Sequence, residues 1–185
     1  MRKNFGAKTA VYPMPVFIIG SYDENGVADA MNAAWGGISE ENEISICISA
    51  EHKTTKNIVA RGAFTVSVAT ADTVVPCDYV GIVSGNDVPD KIEKAGFHTT
   101  KSEFVDAPII NELPMAIECE LISYDEDTCR LVGKIVNLSA DESVLTDGKI
   151  DVAKLRPITY DSLGHGYYVL GEKVGNAFKG GLALK

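Results

Sequence analysis

The sequence predicts a mainly β fold with short helices, built as an antiparallel barrel in a single domain spanning residues 1–185. Three observations carry this. Short segments alternate apolar and polar residues, as strands with one buried face do. Asp23-Glu24-Asn25-Gly26, a strong hairpin signal, lies between two of them. Helical patterns are too sparse to cover a doubly wound parallel sheet. Strands that follow one another by hairpins leave two open edges, and closure into a barrel removes both.

The elements follow in order. Tyr12–Tyr22 opens with two prolines and continues as Val16-Phe17-Ile18-Ile19-Gly20, a run too apolar for a half-exposed strand. Val27–Trp35 returns antiparallel after the Asn-Gly turn. Glu43–Ser49 sets Ile44, Ile46 and Ile48 against Ser45, Cys47 and Ser49 on opposite faces. Thr54–Arg61 reads as a short helix closed by Gly62. Ala63–Thr70 is a strand burying Phe64, Val66 and Val68. Ala71–His98 is mixed, with short helices and a loop, one helix covering Asp90–Ala95. Met115–Ser123 and Cys129–Ser139 form a hairpin around Asp125-Glu126-Asp127, and Asp151–Leu155 is a helical turn.

Composition narrows the function classes. Hydrophobic residues make up 45% and charged residues 23%, as in ordinary globular domains. The net charge of −9 argues against a nucleic-acid partner and against an anionic membrane surface, both of which call for basic patches. No segment reaches the ~18–20 apolar residues of a membrane helix, and Val16–Gly20 is too short for a signal peptide. Cys47, Cys77, Cys119 and Cys129 include no C-x-x-C pair, so reduced thiols in a cytoplasmic protein are expected.

Standard catalytic signatures are absent: no phosphate loop, no dinucleotide glycine fingerprint, no nucleophile elbow. Gly164-His165-Gly166 lacks a third glycine and a following helix. His52, His98 and His165 are far apart, and no metal site is expected. The informative stretch is Asn32–Asn57. A strand ends in small residues and leads to His52-Lys53-Thr54-Thr55-Lys56-Asn57 at a helix start. Unpaired N–H groups, the helix dipole, two lysines and two hydroxyls are what a phosphate requires. A Thr-capped surface helix with two solvated lysines explains the same residues.

Several motifs in order resemble a family. They are Tyr22-Asp23, Asn32-Ala33-Ala34-Trp35, Ser49-Ala50 with His52–Ile58, Tyr79–Gly85, Asp90-Lys91, Pro108-Ile109-Ile110 and Met115–Leu121. From about Tyr12 to Gly180 the chain is similar to the flavin reductase-like group of FMN-binding split-barrel proteins, flavoredoxin branch. The resemblance implies a six-stranded antiparallel split barrel, a homodimer, and FMN near the subunit interface. By position, Asn32, Ala33, Ala34 and Trp35 would line the ring and ribityl chain; ordinary core packing is the other reading of Trp35. Ser49 and Ala50 would form a second contact. His52, Lys53, Thr54 and Asn57 would hold the phosphate, Thr54 foremost. Relatives commonly carry Arg near His52, so here the charge would fall to Lys53. Ser84, Gly85 and Lys91 would close over the ring, unless Lys91 is a solvated lysine paired with Asp87 or Glu93.

Several reductases of the family carry a histidine about five residues before the glycine equivalent to Gly133; here Thr128 and Cys129 occupy that region. The resemblance therefore leaves the hydride donor open. It implies an FMN-dependent reductase fed by NAD(P)H, with electrons leaving to free flavin, a metal complex or a protein. An electron-transfer flavoprotein reduced by a partner protein and a non-catalytic flavin-binding module are the alternatives. No protein acid or base is required, and no catalytic side chain is assigned. His165, Tyr167, Tyr168 and Cys77 stay ambiguous between site and scaffold.

Overall fold

The computed structural model describes all 185 residues. The chain opens with β1 (Phe17–Tyr22), turns at Asn25-Gly26 and returns as β2 (Ala28–Ala33). Two residues later it starts β3 (Gly36–Glu40), which pairs with β4 (Glu43–Cys47). Helix α1 (Lys53–Arg61) and β5 (Ala63–Val68) follow, then α2 (Val74–Ile82) and α3 (Lys91–Lys94). A short hairpin, β6 (Thr99–Lys101) and β7 (Pro108–Ile110), precedes the long pair β8 (Met115–Asp125) and β9 (Arg130–Ala140). Small elements complete the chain: β10 (Leu145–Thr146), β11 (Lys149–Ile150), α4 (Val152–Leu155), β12 (Ile158–Asp161) and β13 (Gly166–Val169).

One antiparallel sheet dominates, in the order β2-β1-β5-β8-β9-β4-β3. Its two edge strands, β2 and β3, are consecutive in the chain and joined only by Ala34 and Trp35. Three Cα steps of ~3.8 Å span at most ~11 Å, so the sheet must curl until its edges meet. That is the split barrel. It has seven strands rather than six. The extra one is β3, which the sequence hides because Gly36-Gly37-Ile38-Ser39-Glu40 lies on an exposed edge and needs no buried face. The β12–β13 hairpin was likewise not expected; it is short and only partly buried.

The core divides along the sheet. Phe17, Ile19, Ile44, Ile46, Phe64 and Val66 fill the barrel, and Ile58 anchors α1 against them. Val16, Ile18, Ala30, Val80, Phe97 and Ile110 form a second cluster under α2 on the outer face. Strand β1 supplies both clusters, which explains its continuous apolar run. Helix α1 ends as expected: Gly62 adopts a left-handed φ of 71°, and its N–H reaches the Ile58 carbonyl. No helix is long and apolar enough to cross a membrane.

Candidate functional site

The site begins at the first turn of α1. Its N-cap is His52, extended at φ −63° and ψ 137°, and the imidazole makes no capping bond. The two threonines do not cap either. Thr55 donates to the Ser49 carbonyl at 2.7 Å, and Thr54 donates to Asp29 Oδ2 at 2.5 Å. The N–H groups of Lys53, Thr54 and Thr55 consequently have no acceptor in the chain. Lys53 stands beside them, paired with Asp23 at 3.2 Å. Burial would raise the Asp23 carboxyl, but the Val27 N–H, the Lys53 ammonium and the Asn25 N–H outweigh it and hold the group below the usual carboxylate range.

Behind the helix lies a buried polar knot. Asp29, on β2, is 2% exposed and faces the Lys91 ammonium at 3.2 Å; Lys91 is 3% exposed and also donates to the carbonyls of Val80 and Val83. Lys91 is thus neither solvated nor paired with Asp87 or Glu93. The Asp29 contact also alters what Thr54 can do. A hydroxyl has one proton, and the Asp29 carboxylate only accepts. While that bond stands, Thr54 can offer an anion its backbone N–H but not its hydroxyl proton. Gly85 closes the knot: a Cβ there would collide with Asp29 Oδ1.

Three cavities run in series along β2. His52, Lys53, Thr54, Ser84, Gly85 and Lys91 line the first, of about 200 Å³. It shares Gly81 and Ile82 with a second, of about 270 Å³, lined by Asn32, Ala33, Ala34, Asp78, Tyr160 and Tyr167. Ala34 opens into a third, of about 620 Å³, where Trp35, Cys47 and Arg130 stand. Trp35 is 56% exposed, so it is not a core residue. In the middle cavity the Tyr167 hydroxyl donates to Asp78 at 2.7 Å; burial, and then this bond, push its pKa up to about 12. Asn32 spends its amide on the Cys77 carbonyl at 3.3 Å, tying β2 to α2.

Other expected residues lie off this trough. Ser49 and Ala50 precede α1 without lining any of the three cavities, and Asn57 turns its amide to Ser21 at 3.1 Å. Cys77 is buried in α2, its thiol pushed up to about 11 by burial, and is a packing residue. His165 bonds Tyr160 at 3.0 Å on the β12–β13 turn. The sequence reading missed Asp29, Asp78, Gly81 and Tyr160. Asp29 did carry a signal, being a carboxylate between two alanines on a strand beside the apolar β1.

A trough that begins at three free N–H groups and passes small residues suits a phosphate-bearing planar molecule. The family profile described as “Flavin reductase like domain” matches residues 9–161, and the chain belongs to that family. Among solved structures, the flavoredoxin of Desulfovibrio vulgaris (Miyazaki F) is 38% identical, with a TM-score of 0.94 over 98% of this chain and 100% of that one. The flavoredoxin of Methanosarcina acetivorans is 26% identical, with a TM-score of 0.89 over 100% of both chains. An uncharacterized protein of Aquifex aeolicus (strain VF5) is 23% identical over 172 residues, which is 86% of this chain and 85% of that protein. Within its flavin-binding family, the chain falls on the flavoredoxin branch.

Proposed function

We propose that the protein holds FMN along the β2 trough and acts as an oxidoreductase in the cytoplasm, taking electrons from NAD(P)H and passing them to free flavin, a metal complex or a protein. The observation that carries this reading is the uncapped first turn of α1, with three free N–H groups and Lys53 opening onto a cavity continuous with Asn32–Ala34. Bound FMN would supply the redox chemistry at its ring. The chain does the rest. The N–H groups of Lys53, Thr54 and Thr55 receive the phosphate, and Lys53 adds charge. Asp29 holds Lys91 in place as a fixed cation, which stabilises negative charge in the trough without reorganisation. Ala33 and Ala34 let a planar body approach the backbone. Four unpaired cysteines accord with a reducing compartment.

A second reading is an electron-transfer flavoprotein reduced by a partner protein. Two observations favour it: Thr128 and Cys129 in the β8–β9 turn region, where several reductases of the family carry a histidine, and the 38% identity to a flavoredoxin. In either reading we expect a homodimer. The exposed apolar side chains of the tail, among them Val174, Phe178 and Leu184, have no cover within one chain.

The test is the visible spectrum of the protein with FMN and with riboflavin, followed anaerobically as NADH and then NADPH is added. A shifted flavin spectrum, tighter binding of FMN than of riboflavin, and bleaching within seconds support the reductase. Bound flavin that stays yellow moves the assignment to the electron carrier. Flavin that bleaches neither with nicotinamide nor with a reduced partner protein leaves only a binding module. An unshifted spectrum overturns flavin binding here. Light scattering of the same sample gives the oligomeric state.

A further inference from the structure

The third cavity is not needed to hold a phosphate, and its composition points to a different ligand. Its lining includes the small residues Ala34, Gly36, Ser45 and Cys47, the last three on the paired strands β3 and β4, so a planar body can approach the sheet. Trp35 forms an exposed aromatic wall and Pro13 an aliphatic one. At one end stands Arg130, the first residue of β9. Its Nε donates to Ser45 Oγ at 3.2 Å, which fixes the guanidinium while leaving its terminal N–H groups without a protein acceptor. The other two arginines of the folded body are neutralised: Arg61 pairs with Asp106 at 3.1 Å and Arg156 with Asp72 at 2.8 Å. Arg130 has no carboxylate partner, in a chain whose net charge is −9.

An oriented, unpaired guanidinium in a cavity lined by an aromatic side chain and small residues is complementary to a planar ring bearing a carboxylate, which it can engage bidentately. About 620 Å³ suits a small molecule. We propose that this cavity binds a planar aromatic carboxylate of one or two rings, with Arg130 as the residue that selects for the acid. The site abuts the middle cavity through Ala34, so its ligand lies next to whatever occupies the trough; that this neighbour is FMN rests on the reading above.

Trp35 is the only tryptophan in the chain, so its fluorescence reports on this cavity. The probes are 1-naphthoate and its neutral counterpart 1-naphthylmethanol, titrated into the FMN-saturated protein by calorimetry and into the flavin-free protein by Trp35 fluorescence. The expected result is saturable naphthoate binding in both forms, with naphthylmethanol at least about tenfold weaker, the loss typical of one charge-assisted hydrogen bond. Arg130→Met should reduce naphthoate affinity by at least about tenfold and leave naphthylmethanol unchanged; Arg130→Lys should restore part of the loss. The flavin spectrum of Arg130→Met should match that of the unsubstituted protein, which separates this site from the flavin assignment. Equal affinity for the two probes, or no effect of Arg130→Met, overturns the proposal. Displacement of FMN by naphthoate makes the cavity the flavin's own seat and overturns it too. Absence of naphthoate binding in a stable dimer whose Trp35 is shielded from quencher means that a second copy covers the face, and ends the proposal.

Discussion

The first and the third of the cavities along β2 are built on opposite plans. At the α1 end both lysines that line the cavity are answered inside the chain: Lys91 meets Asp29, which also holds Thr54, and Lys53 meets Asp23. At the far end Trp35 is exposed and Arg130 lacks any carboxylate partner. Both regions are candidate binding surfaces, yet only the first is also part of what holds the fold together. The difference teaches where mutational effects should appear. Substitutions in the knot should show in stability before they show in binding, and substitutions at the open end should show in binding alone.

The largest effect expected is that of Asp29→Asn. It leaves the Lys91 ammonium buried without its counter-charge, and breaking a buried pair costs about 3–5 kcal/mol. Urea unfolding should reveal this in the flavin-free protein; a cost below about 1 kcal/mol would show that the knot does not stabilise the fold. Thr54→Val comes next. It removes the hydrogen bond to Asp29 and should cost about 1–3 kcal/mol of stability. FMN affinity should change little, because the hydroxyl proton is already committed and the backbone N–H survives. A large loss of affinity at unchanged stability would instead make the hydroxyl a direct phosphate ligand.

A pH series sharpens the comparison further. The folded-state pKa of Asp23 is lowered, so its contribution is fully present above the unfolded value near 3.8 and is lost as pH falls through the lower folded one. Asp23→Asn should therefore flatten the acid limb of the stability curve below about pH 4 and leave the relative pH dependence near neutrality unchanged. Denaturation midpoints between pH 2 and 7 test this. An acid limb unaltered by the substitution would show that the pair with Lys53 carries no stability. The smallest effect should be that of Arg130→Met on stability, within about 0.5 kcal/mol, as for exposed sites without buried partners. A cost near that of Asp29→Asn would erase the distinction between the two ends.

How much of this was legible in the sequence follows the same division between local and remote. The β1–β2 hairpin, the alternation of Ile44, Ile46 and Ile48, and helix α1 with its Gly62 stop depend on neighbouring residues, and each was readable. Residues from the stretches 32–35, 52–54 and 84–91 do line the trough together. The roles inside the knot were not readable. Lys91 finds Asp29 only after α3 packs against β2, so a lysine flanked by Asp87 and Glu93 looks solvated until that contact is known. The commitment of the Thr54 hydroxyl was hidden because its acceptor, Asp29, lies on a distant strand. Strand β3 escaped because an exposed edge carries no periodic burial to reveal it. Arg130 escaped because an isolated surface arginine has no signature until its bond to Ser45 and its place in the cavity with Trp35 are known.

The two-residue link between β2 and β3 has a mechanical consequence. An open sheet ordinarily frays from both margins, because edge strands are held on one side only. Here the margins are sutured to each other through Ala34 and Trp35, so the end of β3 at Gly36 is tethered while the end at Glu40 hangs on its hairpin to β4. Amide exchange along β3 should accordingly form a gradient, slowest beside the suture and fastest at the Glu41-Asn42 turn. The seam of this barrel is its stitched side.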